Sequence, residues 1–333
     1  MSTEFDNALK HIQSDDQIAP SILYGFSVMT NSNFSKFQQA WPAIPDKRRE
    51  EVVTTLVEIA EHSFEVNFEP IFILGLDDSN PDVQSKAIVG LWESDDPGLI
   101  PVFVHLLKTS EAVAVRTTAG QGLGQYIYLG ELEELEEEAY AVAKQALLEA
   151  IRRPDEDIEV VRRAIEAIAY SSDDGISQII ESAYYHDDER MQVSGIFAMG
   201  RHGDSNRWSE IVINELDSRE PKIRFEAVRA AGELDLKGAV SKLIKIVELE
   251  ADSEIQQSAV WSLGQIGGDE AQALLEMLMQ AEDTDEALYS VAEEAMDELM
   301  LWRTQELEDF FEYSIGGDDE DDIHIVDLNG KSH

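Results

Sequence analysis

The side chains best suited to chemistry in this chain are aromatic residues and arginines that recur at related positions. Aromatic residues make up only 8% of the chain, and Lys and Arg together number 25, so a set that collects both types is notable. Its members are Trp92, Arg162, Tyr170, Phe197, Arg201, Phe225, Arg229 and Trp261, and Gln125 lies at a related position and is included with them. Trp, Tyr and Arg often carry the binding energy of protein interfaces, about 2 kcal/mol or more each at hot spots. The set therefore predicts recognition of another protein rather than the making or breaking of bonds.

Motifs for catalysis and for metal binding are absent from the sequence. The chain has no cysteine, which excludes disulfides, thiolate metal sites and a cysteine nucleophile. It also contains no GxxxxGK phosphate loop, no HExxH and no GxSxG. Asp and Glu number 69, so the proximity of two carboxylates carries almost no weight as a sign of acid–base catalysis. The sequence predicts no catalytic residue, no metal and no cofactor.

The net charge of −44 restricts the partners that the chain can bind. Binding to nucleic acid draws its affinity from Lys and Arg that neutralise phosphates, and anionic membranes also select basic surfaces. We therefore expect neither nucleic acid nor a membrane as a partner. The charge either keeps the elongated protein soluble, or it favours basic partners.

Met1–Asn7 lacks the features of a secretory signal, and no apolar run is long enough to span a membrane. These two observations predict a cytoplasmic protein.

A small residue recurs along the chain at intervals close to 32 residues, with one longer interval of 45. These small residues are Ala87, Ala119, Ala164, Gly195, Ala227, Ala259 and Ala292. Apolar residues stand four positions before each one, and apolar or small residues stand four positions after it. A spacing of four aligns residues on one helix face, and a constant period predicts stacked helical hairpins that share one core. The aromatic and arginine set lies at positions −2, +2, +5 and +6 relative to the small residue. These positions are expected on the exposed side of the same helix, or alternatively their side chains pack between neighbouring repeats.

The regularity of the pattern divides the chain into three segments. Residues 1–45 do not fit the period and are expected to form an N-terminal cap, residues 46–315 form the repeats, and residues 316–333 form an acidic, disordered tail. The longer interval adds an acidic insertion at about 127–140, which is either an extended helix start or a protruding loop. In the tail, Ile323, Ile325 and Val326 are either part of a solvated terminus or a short motif that adds a strand to a partner's sheet.

The run from Ile255 to Gly268, with Ala259, Leu263 and two closing glycines, resembles the HEAT-repeat pattern. More narrowly, it is similar to the HEAT-like units of phycobilin lyases, and Val115–Arg116 and Ile223–Arg224 match the apolar–Arg pair of that family. The N-terminal elements Phe37-x-x-x-Trp41-Pro, Arg48–Arg49 and Gly90–Leu91–Trp92–Glu93 look similar to bacterial HEAT-repeat proteins. The resemblance covers about residues 47–303. It implies an all-α, right-handed α-solenoid of about eight HEAT-like helical hairpins, in which the helices with the small residues line the concave face.

The resemblance also supplies alternatives for function. A lyase-like protein would bind a tetrapyrrole or another small molecule in the same groove. The HEAT-like enzyme deoxyhypusine hydroxylase is recognised by His-Glu dipeptides, and none of the seven histidines here precedes a glutamate. HEAT-like DNA glycosylases need a basic groove, whereas this chain is acidic. The favoured expectation is a monomeric, non-catalytic scaffold that binds a protein partner along the concave face.

Overall fold

A computed structural model of the chain describes residues 2–27, 29–63, 65–281 and 284–315. These residues form helices and their connections, with no β-strand among them, so the predicted all-α fold is confirmed. Two compact units divide the chain, Met1–Ala230 and Ala231–His333. The α-helices of the described residues are α1 Ser2–Ile12, α2 Pro20–Leu23, α3 Asn31–Ala40, α4 Asp46–Glu61, α5 Glu69–Gly75, α6 Pro81–Val89, α7 Ile100–Thr109, α8 Val113–Glu131, α9 Glu137–Arg152, α10 Ile158–Ile168, α11 Asp174–Tyr184, α12 Glu189–His202, α13 Ser205–Glu215, α14 Pro221–Glu233, α15 Val240–Leu249, α16 Ser253–Ile266, α17 Asp269–Gln280 and α18 Glu286–Ile315.

Helices of the first unit pack as consecutive pairs. Helix α5 packs on α6, α7 on α8, α9 on α10, and α11 on α12. The even-numbered helices also pack on one another in chain order, from α4 through α6, α8 and α10 to α12. In the second unit, α15 packs on α16, α16 on α18, and α17 on α18. Each pair thus buries its apolar side against its neighbours, as the period predicts.

The seam made by the small residues is confirmed. All seven small residues are buried, and so are the residues four positions before and after them, with Leu288 as the exception. Leu288 is half-buried in the first turn of α18. Helix starts follow from local chemistry: Asn80, Asp157, Asp188 and Asp252 accept hydrogen bonds from the first backbone N–H groups of α6, α10, α12 and α16.

The N-terminal residues form an aromatic cluster instead of a regular pair. The Phe5 and Phe26 ring centroids lie 5.8 Å apart, and those of Phe26 and Phe37 lie 5.1 Å apart. The stacked rings of Phe37 and Trp41 lie 5.1 Å apart and extend the cluster to the start of α4. The residues before α4 therefore pack around these rings, while the predicted cap and its boundary at residue 45 stay predictions.

The acidic insertion lengthens two helices. Helix α8 continues to Glu131 and α9 begins at Glu137, so that only residues 132–136 form the connection between them. The Tyr140 hydroxyl donates a hydrogen bond to the Glu131 carboxylate at 2.5 Å and lies 2.8 Å from the Ser171 hydroxyl. The contact between Tyr140 and Glu131 holds the end of α8 against the start of α9. The two interpretations of the insertion, an extended helix start or a protruding loop, stay predictions.

The acidic tail at residues 316–333, with Ile323, Ile325 and Val326, lies outside the described residues. The two interpretations of that segment stay predictions. Within the described part of the chain, none of the helices combines the length and the apolar character needed to cross a membrane.

Candidate functional site

Five of the nine residues predicted from the sequence surround one groove in the first unit. They are Trp92, Gln125, Tyr170, Phe197 and Arg201, and they come from the turn after α6, from α8, from the turn after α10 and from α12. The groove has a volume of about 490 Å³. Because the even-numbered helices pack side by side, residues at equivalent repeat positions converge on it.

The rings and guanidinium groups at this groove form a continuous series across four helices. Tyr128 of α8 meets Tyr170 edge-on, with centroids 5.4 Å apart. The Arg201 Cζ lies 5.8 Å from the Tyr170 centroid and 5.3 Å from the Phe197 centroid. The Arg229 Cζ of α14 lies 5.7 Å from the same Phe197 ring. We call Tyr128, Tyr170, Arg201, Phe197 and Arg229 the aromatic–arginine ladder; its spacings suit cation–π contacts.

The outer end of the groove is open to solvent. The Trp92 side chain is 57% exposed and that of Tyr128 is 43% exposed, while Tyr170, Phe197 and Arg201 are half-buried. Exposed aromatic rings beside half-buried ones give a surface that a second molecule can cover with a gain in apolar burial.

A buried carboxylate lies under the groove and is neutralised locally. Glu166 is 7% exposed and accepts hydrogen bonds from the Arg163 Nη1 at 2.6 Å and from the Ser194 hydroxyl at 2.5 Å. The Arg162 Nε donates to the same Ser194 hydroxyl at 3.0 Å, and its Nη1 donates to Glu159 at 2.7 Å. These bonds tie α10 to α12 and fix the backbone that carries the ladder.

The other predicted residues lie elsewhere. Arg162 is engaged in these bonds beside the groove, so its predicted contact with a partner stays a prediction. Phe225 is half-buried on α14 and is not part of the groove lining. Trp261 lies on α16 in the second unit, where its half-buried ring packs closely against Gly232.

Sequence reasoning missed Tyr128 and Arg163. Tyr128 stands nine residues after Ala119, beyond the offsets that the regular repeat places on this face. It reaches the ladder because the insertion lengthens α8. Arg163 stands directly before the small residue Ala164, and its long side chain reaches the groove from there. Extending the set of offsets by one helical turn beyond +6 would have identified Tyr128.

Beside the ladder, His202 ends α12 in an apolar setting. Neither of its ring nitrogens has a hydrogen-bond partner within the described ranges, and its ring meets Trp208 edge-on at 6.0 Å. Burial lowers the pKa of His202, an effect that Arg207 adds to and that Asp204 and Glu131 oppose. The native fold therefore favours the neutral imidazole.

Replacing His202 by Phe should remove part of the chain's sensitivity to acid. As the pH falls, the unfolded chain binds a proton at His202 near the ordinary pKa of about 6.5, whereas the folded chain binds it only at a lower pH. The free energy of unfolding therefore decreases as the pH drops below about 6.5. The loss can reach about 1.4 kcal/mol per pH unit for one proton. Urea unfolding of both proteins at about pH 7.5 and about pH 5.5 measures it. We expect a smaller loss in His202→Phe; equal losses would show that His202 does not contribute.

The described residues contain no group of three or more His, Asp or Glu side chains that could hold a metal ion.

The geometry defines a class, an all-α repeat protein with an aromatic and cationic groove. Residues 69–152 and 209–296 match the sequence pattern described as HEAT repeats, and together they make up more than half of the chain. The chain belongs to the HEAT-repeat family. The unmatched α10 and α12 carry the same buried small residues, Ala164 and Gly195.

Solved structures resemble this fold at low identity. The CpcE–CpcF complex of phycocyanin lyase from Nostoc sp. PCC7120 has 16% identity and a TM-score of 0.49, over 86% of this chain and 96% of that chain. Human deoxyhypusine hydroxylase in complex with glycerol has 15% identity and a TM-score of 0.34, over 90% and 96%. Importin beta has 14% identity and a TM-score of 0.45, over 90% of this chain and 46% of that chain. No curated protein sequence matches the chain significantly.

Proposed function

We propose that the chain is a non-catalytic scaffold that binds a protein partner along the aromatic–arginine ladder. The observation that carries this proposal is the open groove, where Trp92 and Tyr128 expose large apolar surfaces next to half-buried rings and guanidinium groups. Interface cores are enriched in Tyr, Trp, Phe and Arg, and their hot spots cluster in such pockets. The net charge of −44 argues against nucleic acid as the partner.

Rigidity of the surrounding structure supports the same proposal. Helices α8, α10 and α12 beneath the groove pack on one another in chain order, and the Glu166 bonds lock α10 to α12. Side chains held this way lose little conformational freedom when a partner binds, which leaves more of the contact energy for affinity. A preformed surface suits a scaffold.

A small ligand is the second candidate for the same groove. Its volume of about 490 Å³ falls within the range of about 300–1,000 Å³ that is usual for ligand pockets. A lyase-like protein that holds a chromophore would absorb visible light after purification from its own cells. An absorption spectrum with a protein band alone would favour the scaffold.

Replacing Trp92 and Tyr128 together by Ala tests the scaffold. The full chain, tagged and purified from the cells in which it is native, should capture a partner that the double variant captures at least about tenfold less, because two hot spots are lost. Quantitative mass spectrometry of the captured proteins gives the ratio.

Tyr185→Ala is the matched control. Tyr185 is 67% exposed, follows α11 and is not part of the groove lining. It should leave capture unchanged. Thermal unfolding followed by circular dichroism should show that all three proteins fold. Equal capture by wild type and the double variant would refute the ladder as the binding surface.

A further inference from the structure

We infer that a second groove, between the start of α7 and the start of α9, binds a basic protein segment that also carries apolar side chains. This inference goes beyond the proposed function, because the second groove shares no lining residue with the groove at the ladder. Three observations support it, namely the apolar surface of the second groove, the charge around that surface and the way in which the charges are spread.

The apolar surface of the second groove is partly open to solvent. The groove has a volume of about 700 Å³ and is lined by residues at the start of α7, in the connection after α8 and in the first turns of α9. Ile100 is buried, Leu135 is half-buried, Pro101 is exposed, and the Val142 side chain is 45% exposed. A second molecule that covers Pro101 and Val142 gains apolar burial.

The other half of the lining is acidic. Six of the twelve lining residues carry a carboxylate, and all six are exposed, namely Asp95, Glu133, Glu134, Glu136, Glu137 and Glu138. Lys, Arg and His are absent from this lining. The lysines of the two flanking helices pair with other carboxylates, Lys108 with Glu149 at 2.7 Å and Lys144 with Asp173 at 2.6 Å. An apolar surface inside an acidic rim is complementary to a segment that combines Lys or Arg with apolar side chains.

The carboxylates are spread along the rim rather than gathered around one point. They lie before α7, in the connection after α8 and at the start of α9. They do not form a group of three that could hold a metal ion, and neither do other carboxylates or histidines of the described residues. Spread charges suit several separate cations. The long stems of Lys and Arg can lie on the apolar surface while their charged ends reach the rim.

Charge also decides against a second copy of this chain as the occupant. The chain has 69 Asp and Glu against 25 Lys and Arg, so two copies repel each other. A basic segment of a different protein would instead relieve the repulsion among the six carboxylates. Its association should be fast and should weaken as salt is added.

Selection from random peptides on phage, about twelve residues long, tests the inference without a known partner. The immobilised full chain is the target. The groove variant combines Glu134→Gln, Glu136→Gln and Glu138→Gln, and peptides that also bind it are removed. We expect the remaining peptides to be enriched in Lys or Arg within a few residues of an aliphatic or aromatic side chain.

The best peptide is then measured by fluorescence anisotropy against three variants. Its binding should weaken about tenfold in the groove variant, because three charge pairs are lost. It should weaken at least about twofold in Val142→Gln, which keeps every charge and reduces the apolar surface. The control variant combines Glu58→Gln, Glu61→Gln and Glu65→Gln at exposed positions on α4 and after it, outside the groove. It changes the net charge by the same amount and should keep full affinity.

Two further comparisons separate the second groove from misfolding and from the ladder. Circular dichroism should show the same helix content and the same thermal unfolding for the groove variant and the control variant. The Trp92→Ala, Tyr128→Ala double variant should bind the peptide as wild type does. Failure of the proposed function therefore leaves this inference standing, and the reverse also holds.

Three outcomes would overturn the inference. Selected peptides that are acidic or uncharged would refute the basic segment. Equal weakening in the groove variant and the control variant would show general attraction to an acidic chain instead of a site. If Val142→Gln has no effect and a peptide with Ser in place of its apolar residues binds equally well, the groove recognises polycations such as spermine rather than a protein segment.

Discussion

Replacing Asp78 by Ala should destabilise the first unit by about 3–5 kcal/mol, because it removes the buried carboxylate that pairs with Arg49. The other carboxylate near this guanidinium, that of Asp46 at 3.1 Å, is largely exposed and compensates the charge only weakly. The Asp78 side chain is 2% exposed and that of Arg49 is 5% exposed. The Arg49 Nε and Nη2 donate to the two carboxylate oxygens of Asp78, each at 2.8 Å, and the Trp41 Nε1 donates at 2.8 Å. The Arg49 Nη1 donates to the Ile44 carbonyl at 2.6 Å. One carboxylate thus joins the N-terminal cluster to α4 and to the residues after α5.

Urea unfolding followed by circular dichroism and tryptophan fluorescence measures this loss. Asp77→Ala is the matched control, because Asp77 is the exposed neighbour of Asp78. It should change the free energy of unfolding by no more than about 0.5 kcal/mol. Equal effects of the two substitutions would contradict the account of a buried ion pair that holds the cap.

The same carboxylate should make the first unit sensitive to acid. Burial raises the pKa of Asp78, but hydrogen bonds from Arg49, from the Asn80 backbone and from Trp41 outweigh it, so the pKa lies below the usual value. The stabilisation is therefore complete above the unfolded pKa of about 3.9 and is lost as the pH falls through the lower folded pKa. The stability difference between wild type and Asp78→Asn should be constant near neutral pH and should shrink in acid.

Gly195→Ala should cost about 1–3 kcal/mol, although alanine is the better helix former by about 1 kcal/mol. Gly195 occupies the position at which the other repeats carry Ala. A Cβ at this position would lie 2.6 Å from the backbone N and 2.9 Å from the Cα of Tyr184. Backbone atoms cannot rotate away as a flexible side chain can, so α11 and α12 would have to separate.

Gly120→Ala is the control with the opposite expected sign. Gly120 lies within α8, and the nearest atom to a Cβ there is the Leu107 Cδ1 at 3.8 Å. This substitution should stabilise the chain by up to about 1 kcal/mol, since alanine favours the helix and meets no obstacle. Urea unfolding of both variants gives the comparison. A loss of equal size in both would show that the close approach of α11 and α12 is not the cause.

The repeat spacing predicted the fold because one physical cause governs every repeat. Ala119 and Ala164 are buried for the same reason, namely that the even-numbered helices from α4 to α12 pack on one another in chain order. The form of the insertion does not follow from the sequence, because Glu131–Glu138 is too acidic to show a helical face. Only its contacts, such as the one between Tyr140 and Glu131, decide that α8 and α9 are longer.

The candidate site was predictable in part. The offsets within the repeat identified Tyr170, Phe197 and Arg201 as residues of one face, but they could not give the distances between neighbouring helices. Arg162 has a suitable offset and yet bonds within the chain, since Ser194 and Glu159 lie within reach.

The hydrogen bond between Trp41 and Asp78, which lies outside the candidate site, joins residues 37 positions apart and has no signature in the local sequence.

Site-specific photo-crosslinking tests most directly whether a protein lies against the aromatic–arginine ladder. The photoreactive amino acid p-benzoylphenylalanine would replace Trp92 or Tyr128 in the full chain, and Tyr185 in the control, before irradiation of intact cells. We predict one discrete crosslinked protein from positions 92 and 128 and none from position 185. Crosslinks that form equally from position 185, or none from positions 92 and 128, would contradict the proposed binding surface.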